Sequence, residues 1–452
     1  MKVSFETIGC RFNQFETAEM KELFRSAGFE VVPFTSDASI YIINTCTVTD
    51  RSDYRCRQTI RKAIRKKGDA FIIVTGCYSQ INPSEIASIK GVDLVLGNSE
   101  KLNVLEHLKK LTALHIGMID MKKLNNPEMV VSNMDKGGQF TFQDVSNFSG
   151  RTNAYLKVQT GCNRICSFCI ITVARGPSIS EKPEAILRQS SVLADSGFKE
   201  IVLTGVNLGS YGRDLYPEVK LTDLIEMLMN VEGIERIRLS SINPEEISKR
   251  LISVMKANRK VCRHLHIPLQ SGDDEILKRM RRNYCPSMYR ELIMSLKNEM
   301  PDIGIGADVI VGFPGEDEGK FNNTYKLIDE LPLSYLHVFT YSQREGTDAY
   351  GYRGQIPEII KKERNSIIKE LGKKKSNTFR RDFLGKVCRV LIESTRDRKT
   401  GLLRGYTDNY IPVEIHGGDE FINRLTGVRI THILNDTVRG ELLDEQHCHS
   451  DY

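Results

Sequence analysis

The sequence predicts an α/β chain in three parts: an N-terminal open parallel sheet, a central (β/α)6-type partial barrel and a small C-terminal antiparallel β-barrel. Three observations carry this expectation. Near the N-terminus, the unbroken apolar runs Ile40-Tyr41-Ile42-Ile43 and Phe71-Ile72-Ile73-Val74 alternate with helical patterns, as strands covered on both faces do. Between Tyr155 and about Tyr341, six strand-like runs alternate with helical ones. After Arg381 the pattern changes to short strands broken by Gly and Asp/Asn turns.

The first part spans 1–111. Strand-like runs 3–10, 40–46 and 71–77 each end in a cysteine, and helical patterns at 14–27 and 52–67 lie between them. Such β-α-β-α-β units form parallel sheets with right-handed crossovers. A further run at 93–96 and a helical stretch to Leu111 complete it. Over 112–150 the pattern weakens and turn residues cluster (Asn125-Asn126-Pro127, Lys136-Gly137-Gly138), which predicts a linker or wrapping segment with room for a strand or two. The barrel part, 151–375, has its strands at 155–159, 200–204, 236–240, 264–268, 305–311 and 335–340. In such barrels the active site lies at the C-terminal strand ends. The last part, 376–445, has strands at 387–393, 402–406, 411–415 and 428–434.

The 452 residues suffice for several cores without disulfide staples. With 40% hydrophobic and 27% charged residues the composition is that of a soluble protein, and no run approaches the ~20 apolar residues of a spanning helix. Met1-Lys2-Val3-Ser4-Phe5-Glu6 turns strand-like at once and carries an acid, unlike a signal peptide, so a cytoplasmic protein without membrane partners is expected. Eleven cysteines, an odd number, then read as metal ligands plus small core residues. Net charge is +6, but residues 51–67 hold eight basic side chains against Asp53 alone, and 361–381 hold nine against two acids. Such local excesses suit either a nucleic-acid footprint or two solvated helix faces.

Chemistry concentrates in Thr160-Gly161-Cys162-Asn163-Arg164-Ile165-Cys166-Ser167-Phe168-Cys169, three thiols spaced four and three apart after the first barrel strand. A short loop can wrap such soft ligands around three irons of a [4Fe-4S] cubane. The fourth iron is then free to chelate the amino and carboxylate groups of S-adenosylmethionine (SAM), whose cleavage yields a 5′-deoxyadenosyl radical. Zinc would want a fourth ligand nearby, and the candidates His264 and His266 are far off in sequence. Cys10, Cys46 and Cys77 end three strands of one parallel sheet, where ligands gather, which predicts a second cluster. Three buried small hydrophobes is the plain alternative. Cys56, Cys262, Cys285, Cys388 and Cys448 read as core or surface residues.

With these residues in hand, the chain resembles the methylthiotransferase family of radical SAM enzymes over nearly its whole length except 112–150. The motifs are Thr7-Ile8-Gly9-Cys10-Arg11-Phe12-Asn13-Gln14, Asn44-Thr45-Cys46-Thr47-Val48-Thr49 and Val74-Thr75-Gly76-Cys77-Tyr78. The barrel adds Leu203-Thr204-Gly205-Val206-Asn207, Arg238-Leu239-Ser240-Ser241-Ile242-Asn243-Pro244, His266-Ile267-Pro268-Leu269-Gln270-Ser271-Gly272 and Gly306-Ala307-Asp308-Val309-Ile310-Val311-Gly312-Phe313-Pro314-Gly315-Glu316.

The resemblance implies an N-terminal methylthiotransferase domain, a radical SAM barrel and a C-terminal TRAM-like RNA-binding barrel. It also implies two [4Fe-4S] clusters, with the N-terminal one handling sulfur. The implied reaction replaces C2–H of N6-threonylcarbamoyladenosine at tRNA position 37 by a methylthio group, with isopentenyladenosine in tRNA or a ribosomal-protein aspartate as alternative substrates. A non-catalytic cluster protein that binds RNA has no use for an open iron. The implied partners are a tRNA anticodon stem-loop, a reducing electron-donor protein and a sulfur donor. Thr204 and Gly205 are expected at the SAM amino group, Ser241 and Gln270 at its ribose or carboxylate, and Gly312 at adenine, with Phe168, just before the third cysteine, also expected to bind the cofactor. Lys374, Arg380 and Arg381 are expected on RNA, and Asp308 and Glu316, candidate general bases by residue type, read rather as solvated turn residues. One departure is Thr172 where the family usually has proline.

Overall fold

The unbroken apolar runs lie at the centre of a six-stranded parallel sheet in the computed structural model, which describes residues 1–66, 69–111, 126–134, 143–148 and 150–443, and the backbone of 114–115 and 118–119. Its order is Glu30–Val32, Lys2–Thr7, Ile40–Thr45, Phe71–Gly76, Leu94–Leu96, Glu128–Val130. Successive side chains of a strand point to opposite faces. Tyr41, Ile43, Ile72 and Val74 therefore meet Cys56, Ile60 and Ala63 of the helix Asp50–Lys66. Ile40, Ile42, Phe71 and Ile73 meet Met20 and Phe24 of the helix Arg11–Ser26 on the other face.

Part of the expected linker belongs to this sheet. Glu128–Val130 pairs in parallel with Leu94–Leu96, and beyond it Val145 and Phe148 are buried in the barrel core. Asn125, Lys136-Gly137-Gly138 and Cys448 lie outside the described residues.

The six barrel strands form as expected, within a few residues at their ends. Four strands run in the order Ile179–Ser180, Asn153–Thr160, Glu200–Gly205, Arg236–Leu239, and three more as His264–His266, Gly304–Val311, Tyr335–Thr340. Isolated bridges, Ser241 to His266 and Ile237 to Val261, join the two sheets into one curved wall. Leu265, Ile305, Ala307 and Val309 point into the apolar core. The alternating positions His264, His266, Asp308, Tyr335 and His337 share the opposite, polar face, which is the lumen.

The C-terminal barrel is closed and has five strands, including Val438–Leu442, which its pattern did not reveal. A closed ring of alternating directions needs an even number of strands. Five force one parallel junction, found between Pro412–Ile415 and Val438–Leu442, so the expected all-antiparallel barrel is corrected at this point. The helix Glu358–Arg381 runs unbroken through residue 375, where the sequence suggested a boundary, and delivers Phe379 into the small barrel's core. Among the described residues no helix is long and apolar enough to cross a membrane.

Candidate functional site: two cysteine triads at one junction

Lys2–Thr7, Ile40–Thr45 and Phe71–Gly76 are adjacent strands, so Cys10, Cys46 and Cys77 emerge at one sheet edge. Cys10 caps the helix Arg11–Ser26, and Cys77 opens the short helix Cys77–Ile81. Two glycines permit this crowding. Gly76 has φ +110°, and a Cβ there would lie 2.4 Å from the Thr45 carbonyl oxygen. Gly9 has φ +130°, and a Cβ there would meet the Cys46 Cβ at 2.9 Å. Burial, with the Cys77 and Cys10 sulfurs alongside, pushes the Cys46 thiol up to about 12. The Asn98 Nδ2 faces the Cys77 Sγ at 3.8 Å, and Cys77 also lies near the buried Arg175 and Lys101. Three free thiols under neighbouring cations fit a metal cluster that takes them as thiolates.

The second triad lies on the loop that follows the strand Asn153–Thr160. At Gly161, φ +67°, a Cβ would fall 1.8 Å from the Pro177 carbonyl oxygen, so only glycine lets the loop fold back. The Cys162 N–H then donates to the Gly176 carbonyl at 3.0 Å. Ser167 pins the far side, its Oγ donating to the Arg279 carbonyl at 2.7 Å, and Phe168 packs on a cluster containing Ile276, Met280 and Phe313. Two donors address sulfur: the Arg164 N–H reaches the Cys162 Sγ at 3.4 Å and the Arg282 Nη1 the Cys166 Sγ at 3.3 Å. Burial and the two neighbouring sulfurs push the Cys169 thiol up to about 12. Donors aimed at sulfur suit thiolates on a cluster.

The zinc alternative fails on spacing. Tetrahedral thiolates 2.3 Å from a zinc ion stand about 3.8 Å apart. Among the described residues neither triad brings its three sulfurs within 4.8 Å of one another. His264 and His266 are also engaged, both on the Tyr335 hydroxyl, at 2.8 and 3.1 Å.

The triads meet across the junction. Asn98 Nδ2, beside Cys77, donates to the Ala174 carbonyl at 2.6 Å, and Ala174 lies in the helix Ile171–Arg175 that follows Cys169. Arg344, beyond the last barrel strand, pairs with Asp53 at 2.7 Å and Asp50 at 2.6 Å and donates to Thr47, just past Cys46. A cavity of about 420 Å³ opens between the two units, lined by Phe12, Glu16, Lys101, Lys157 and Arg175 among others. Another of about 380 Å³ lies beside the cluster loop against Asn163, Arg164, Asn207 and Glu246.

The remaining expected site residues divide. Thr204 is buried and its Oγ1 donates to the Val202 carbonyl at 3.1 Å. Gly205 sits at a bulge against Gln159, and Ser241 is exposed at the strand end. Gln270 takes φ +63°, and its buried Oε1 has no hydrogen-bond partner among the described residues, which suits a side chain that accepts from a bound ligand. Gly312 is corrected as an open adenine seat: a Cβ there would lie 2.3 Å from the Lys361 Cγ, so a lysine stem fills that space.

Asp308 and Glu316 are corrected as solvated turn residues. Glu316 is buried, accepts from the Gly312 N–H and pairs with Arg364, both at 2.7 Å. Asp308 lies on a strand and takes His266 at 2.9 Å and His337 at 3.4 Å, which hold its carboxyl well below the ordinary range despite burial. Lys374 and Arg381 are exposed. Arg380 is corrected as an RNA contact: it is buried and donates to the Asn435 and Leu434 carbonyls and to Ser376. Arg175, Arg344 and Tyr410 carry the junction without a local signature in the sequence.

Residues 2–97 match the Uncharacterized protein family UPF0004, and residues 156–328 match the Radical SAM superfamily. The chain is 41% identical over 433 residues to the threonylcarbamoyladenosine tRNA methylthiotransferase MtaB of Bacillus subtilis (strain 168), covering 95% of this chain and 93% of that one. It is 37% identical to the protein of the same name from Thermotoga maritima, over 92% and 91% of the two chains. To a tRNA-2-methylthio-N(6)-dimethylallyladenosine synthase of Alkaliphilus oremlandii it is 32% identical, over 98% and 93%. The radical SAM methyltransferase TsrM of Kitasatospora setae shares the fold, with a TM-score of 0.56 at 13% identity over 75% of this chain and 72% of that one. On the strength of these near full-length relatives, and of two cysteine triads at one junction, the chain belongs to the methylthiotransferase family of radical SAM enzymes.

Proposed function

We propose that this protein replaces the C2–H of N6-threonylcarbamoyladenosine at tRNA position 37 by a methylthio group. The observation that carries the reading is the Arg175 junction, which fixes the two cysteine triads against each other. Cys162, Cys166 and Cys169 would hold the cluster that binds SAM, and Cys10, Cys46 and Cys77 a second [4Fe-4S] cluster that handles sulfur. Bound there, cluster and SAM supply a 5′-deoxyadenosyl radical, the reagent an unactivated C–H bond requires. Thr204, Gly205, Ser241 and Gln270 would orient SAM at the strand ends, and Phe168 would steady the loop. Residues 1–111, 151–375 and 376–445 would act as sulfur-handling, radical-generating and RNA-holding units. An electron-donor protein and a sulfur donor would serve them in the cytoplasm.

The test is mass spectrometry of tRNA nucleosides from cells lacking the gene, with the anaerobically reconstituted protein acting on their tRNA. Accumulated threonylcarbamoyladenosine that the protein converts supports the reading. Accumulated isopentenyladenosine instead would move the assignment to the other tRNA substrate.

A further inference from the structure

Most basic side chains buried around the site have acids; Arg282, which lies on the Cys166 sulfur, and Arg11 do not among the described residues. Lys101 and Arg175 share Glu16, Lys157 has Glu19, Arg236 and Arg238 share Glu200, and Arg344 has Asp50 and Asp53. Arg11 follows Cys10 directly and is half-buried, yet among the described residues no carboxylate lies within ion-pair distance of it. Its partner is a phenol: Nη2 donates to the Tyr410 hydroxyl at 2.9 Å, with the guanidinium 5.8 Å from that ring's centre.

Tyr410 belongs to the C-terminal barrel and is held with some strain. Its φ is +73°, a region costly for a tyrosine and found where surroundings fix a residue for a purpose. Tyr406 stacks on it at 5.1 Å, and His264 and Tyr335 of the barrel wall lie 4.6 and 5.8 Å away. Tyr335 in turn bonds His264 and His266. Arg11 thus stands where all three units meet, beside the sulfur-handling triad and at the foot of the polar lumen wall. A cation kept from protein acids in such a place is suited to a ligand's anion.

We infer that Arg11, with Tyr410 beside it, receives the carboxylate of the substrate base: the site takes an N6-acyl adenosine whose side group ends in a carboxylate, and the Arg11 guanidinium selects it. This rests on the proposed function and deepens it. An anion at Arg11 has two sources on the same RNA, the side-group carboxylate or a backbone phosphate, and the test separates them.

Reconstituted protein is titrated with three anticodon stem-loops, bearing threonylcarbamoyladenosine, its carboxamide analogue or plain adenosine, for wild type, Arg11→Gln, Arg11→Lys and Tyr410→Phe. Wild type should bind the acid about 10- to 100-fold tighter than the amide, the worth of one charge-assisted contact. In Arg11→Gln that ratio should fall to about one, with kcat/KM following it, and Arg11→Lys should restore part of it. Taking the ratio within each variant cancels any general loss of folding or cluster. Wild type that binds acid and amide alike overturns the inference, whatever the variants do. Equal weakening of all three RNAs in Arg11→Gln assigns the arginine to a phosphate and overturns it too. Wild type that leaves the threonylcarbamoyl base unmodified overturns the functional reading, a separate result from the binding ratio.

Discussion

The Arg175 Nη1 donates to the Glu16 Oε1 at 2.8 Å, and that bond ties the helix after Cys169 to the helix that Cys10 caps. The same guanidinium donates to the Asn13 Oδ1 at 2.8 Å and lies 4.2 Å from the centre of the Phe12 ring. Glu16 also takes Lys101, and against the cost of burial the two cations hold its carboxyl far below the ordinary range. Breaking one side of a buried pair costs about 3–5 kcal/mol, because the partner is left charged and dry. Arg175→Met should therefore lower the melting temperature by several degrees. It should also cut methylthio product more than 5′-deoxyadenosine, since the two triads lose their shared anchor. Equal loss of both products would show that the junction does not couple them.

Gly76 gives a sharper test of the first triad. A methyl group there meets the Thr45 carbonyl oxygen at 2.4 Å in a backbone region that alanine avoids. Gly76→Ala should push apart the strand ends that carry Cys46 and Cys77. Iron in the reconstituted protein should fall from about eight to about four per chain, one cubane lost of two. SAM cleavage from the other triad should remain measurable. Unchanged iron content would show that Cys10, Cys46 and Cys77 are core residues.

The cysteines were legible because motif spacing and strand-end topology point to them without long-range information, whereas the demands on Gly9, Gly76 and Gly161 emerge only from the packing. The two covered faces of Ile40–Thr45 were equally legible, since a doubly buried strand must be apolar throughout. What escaped depends on partners distant in sequence. Arg11 and Tyr410 are 399 residues apart, and neither looks unusual alone. The run around Arg380 looked like one basic surface, but a helix turns successive residues to different faces, so Arg380 went inward while Lys374 stayed outside. Val438–Leu442 is a short strand close behind its neighbour, and only closure of a five-membered ring requires it.

Acid should weaken the barrel through Glu200. Burial alone would raise its pKa, but Arg238 and Arg236 hold it down to about 2. A carboxyl depressed in the folded state stabilises fully above its unfolded value near 4.5, and that contribution is lost as pH falls toward 2. The shift corresponds to about 3 kcal/mol at neutral pH. Glu200→Gln removes the acid from between two guanidiniums, so its melting temperature should lie well below wild type at pH 7. The gap should narrow steadily between pH 4.5 and 3 in the apoprotein. A gap independent of pH would locate the damage elsewhere.

Arg380 and its neighbours separate stability from RNA binding. Arg380 Nη1 donates to the Asn435 carbonyl at 2.9 Å and Nη2 to the Ser376 Oγ at 2.7 Å, stapling the helix Glu358–Arg381 to the small barrel. Arg380→Ala strands those acceptors, at a cost of about 1–3 kcal/mol. It should lower the melting temperature while leaving the salt dependence of tRNA binding unchanged. Lys374 and Arg381 are exposed, as are Arg55, Arg61 and Lys62 on the helix Asp50–Lys66. Phosphate contacts release counterions, so each one lost should flatten the slope of log affinity against log salt by about 0.9 on duplex stems or 0.7 on single strands. Lys374→Glu with Arg381→Glu should therefore weaken binding and flatten the slope, with melting little changed. Filter binding across several salt concentrations measures both quantities. A double variant with wild-type affinity and slope would remove the C-terminal end of this helix from the RNA footprint and leave the N-terminal patch to carry it.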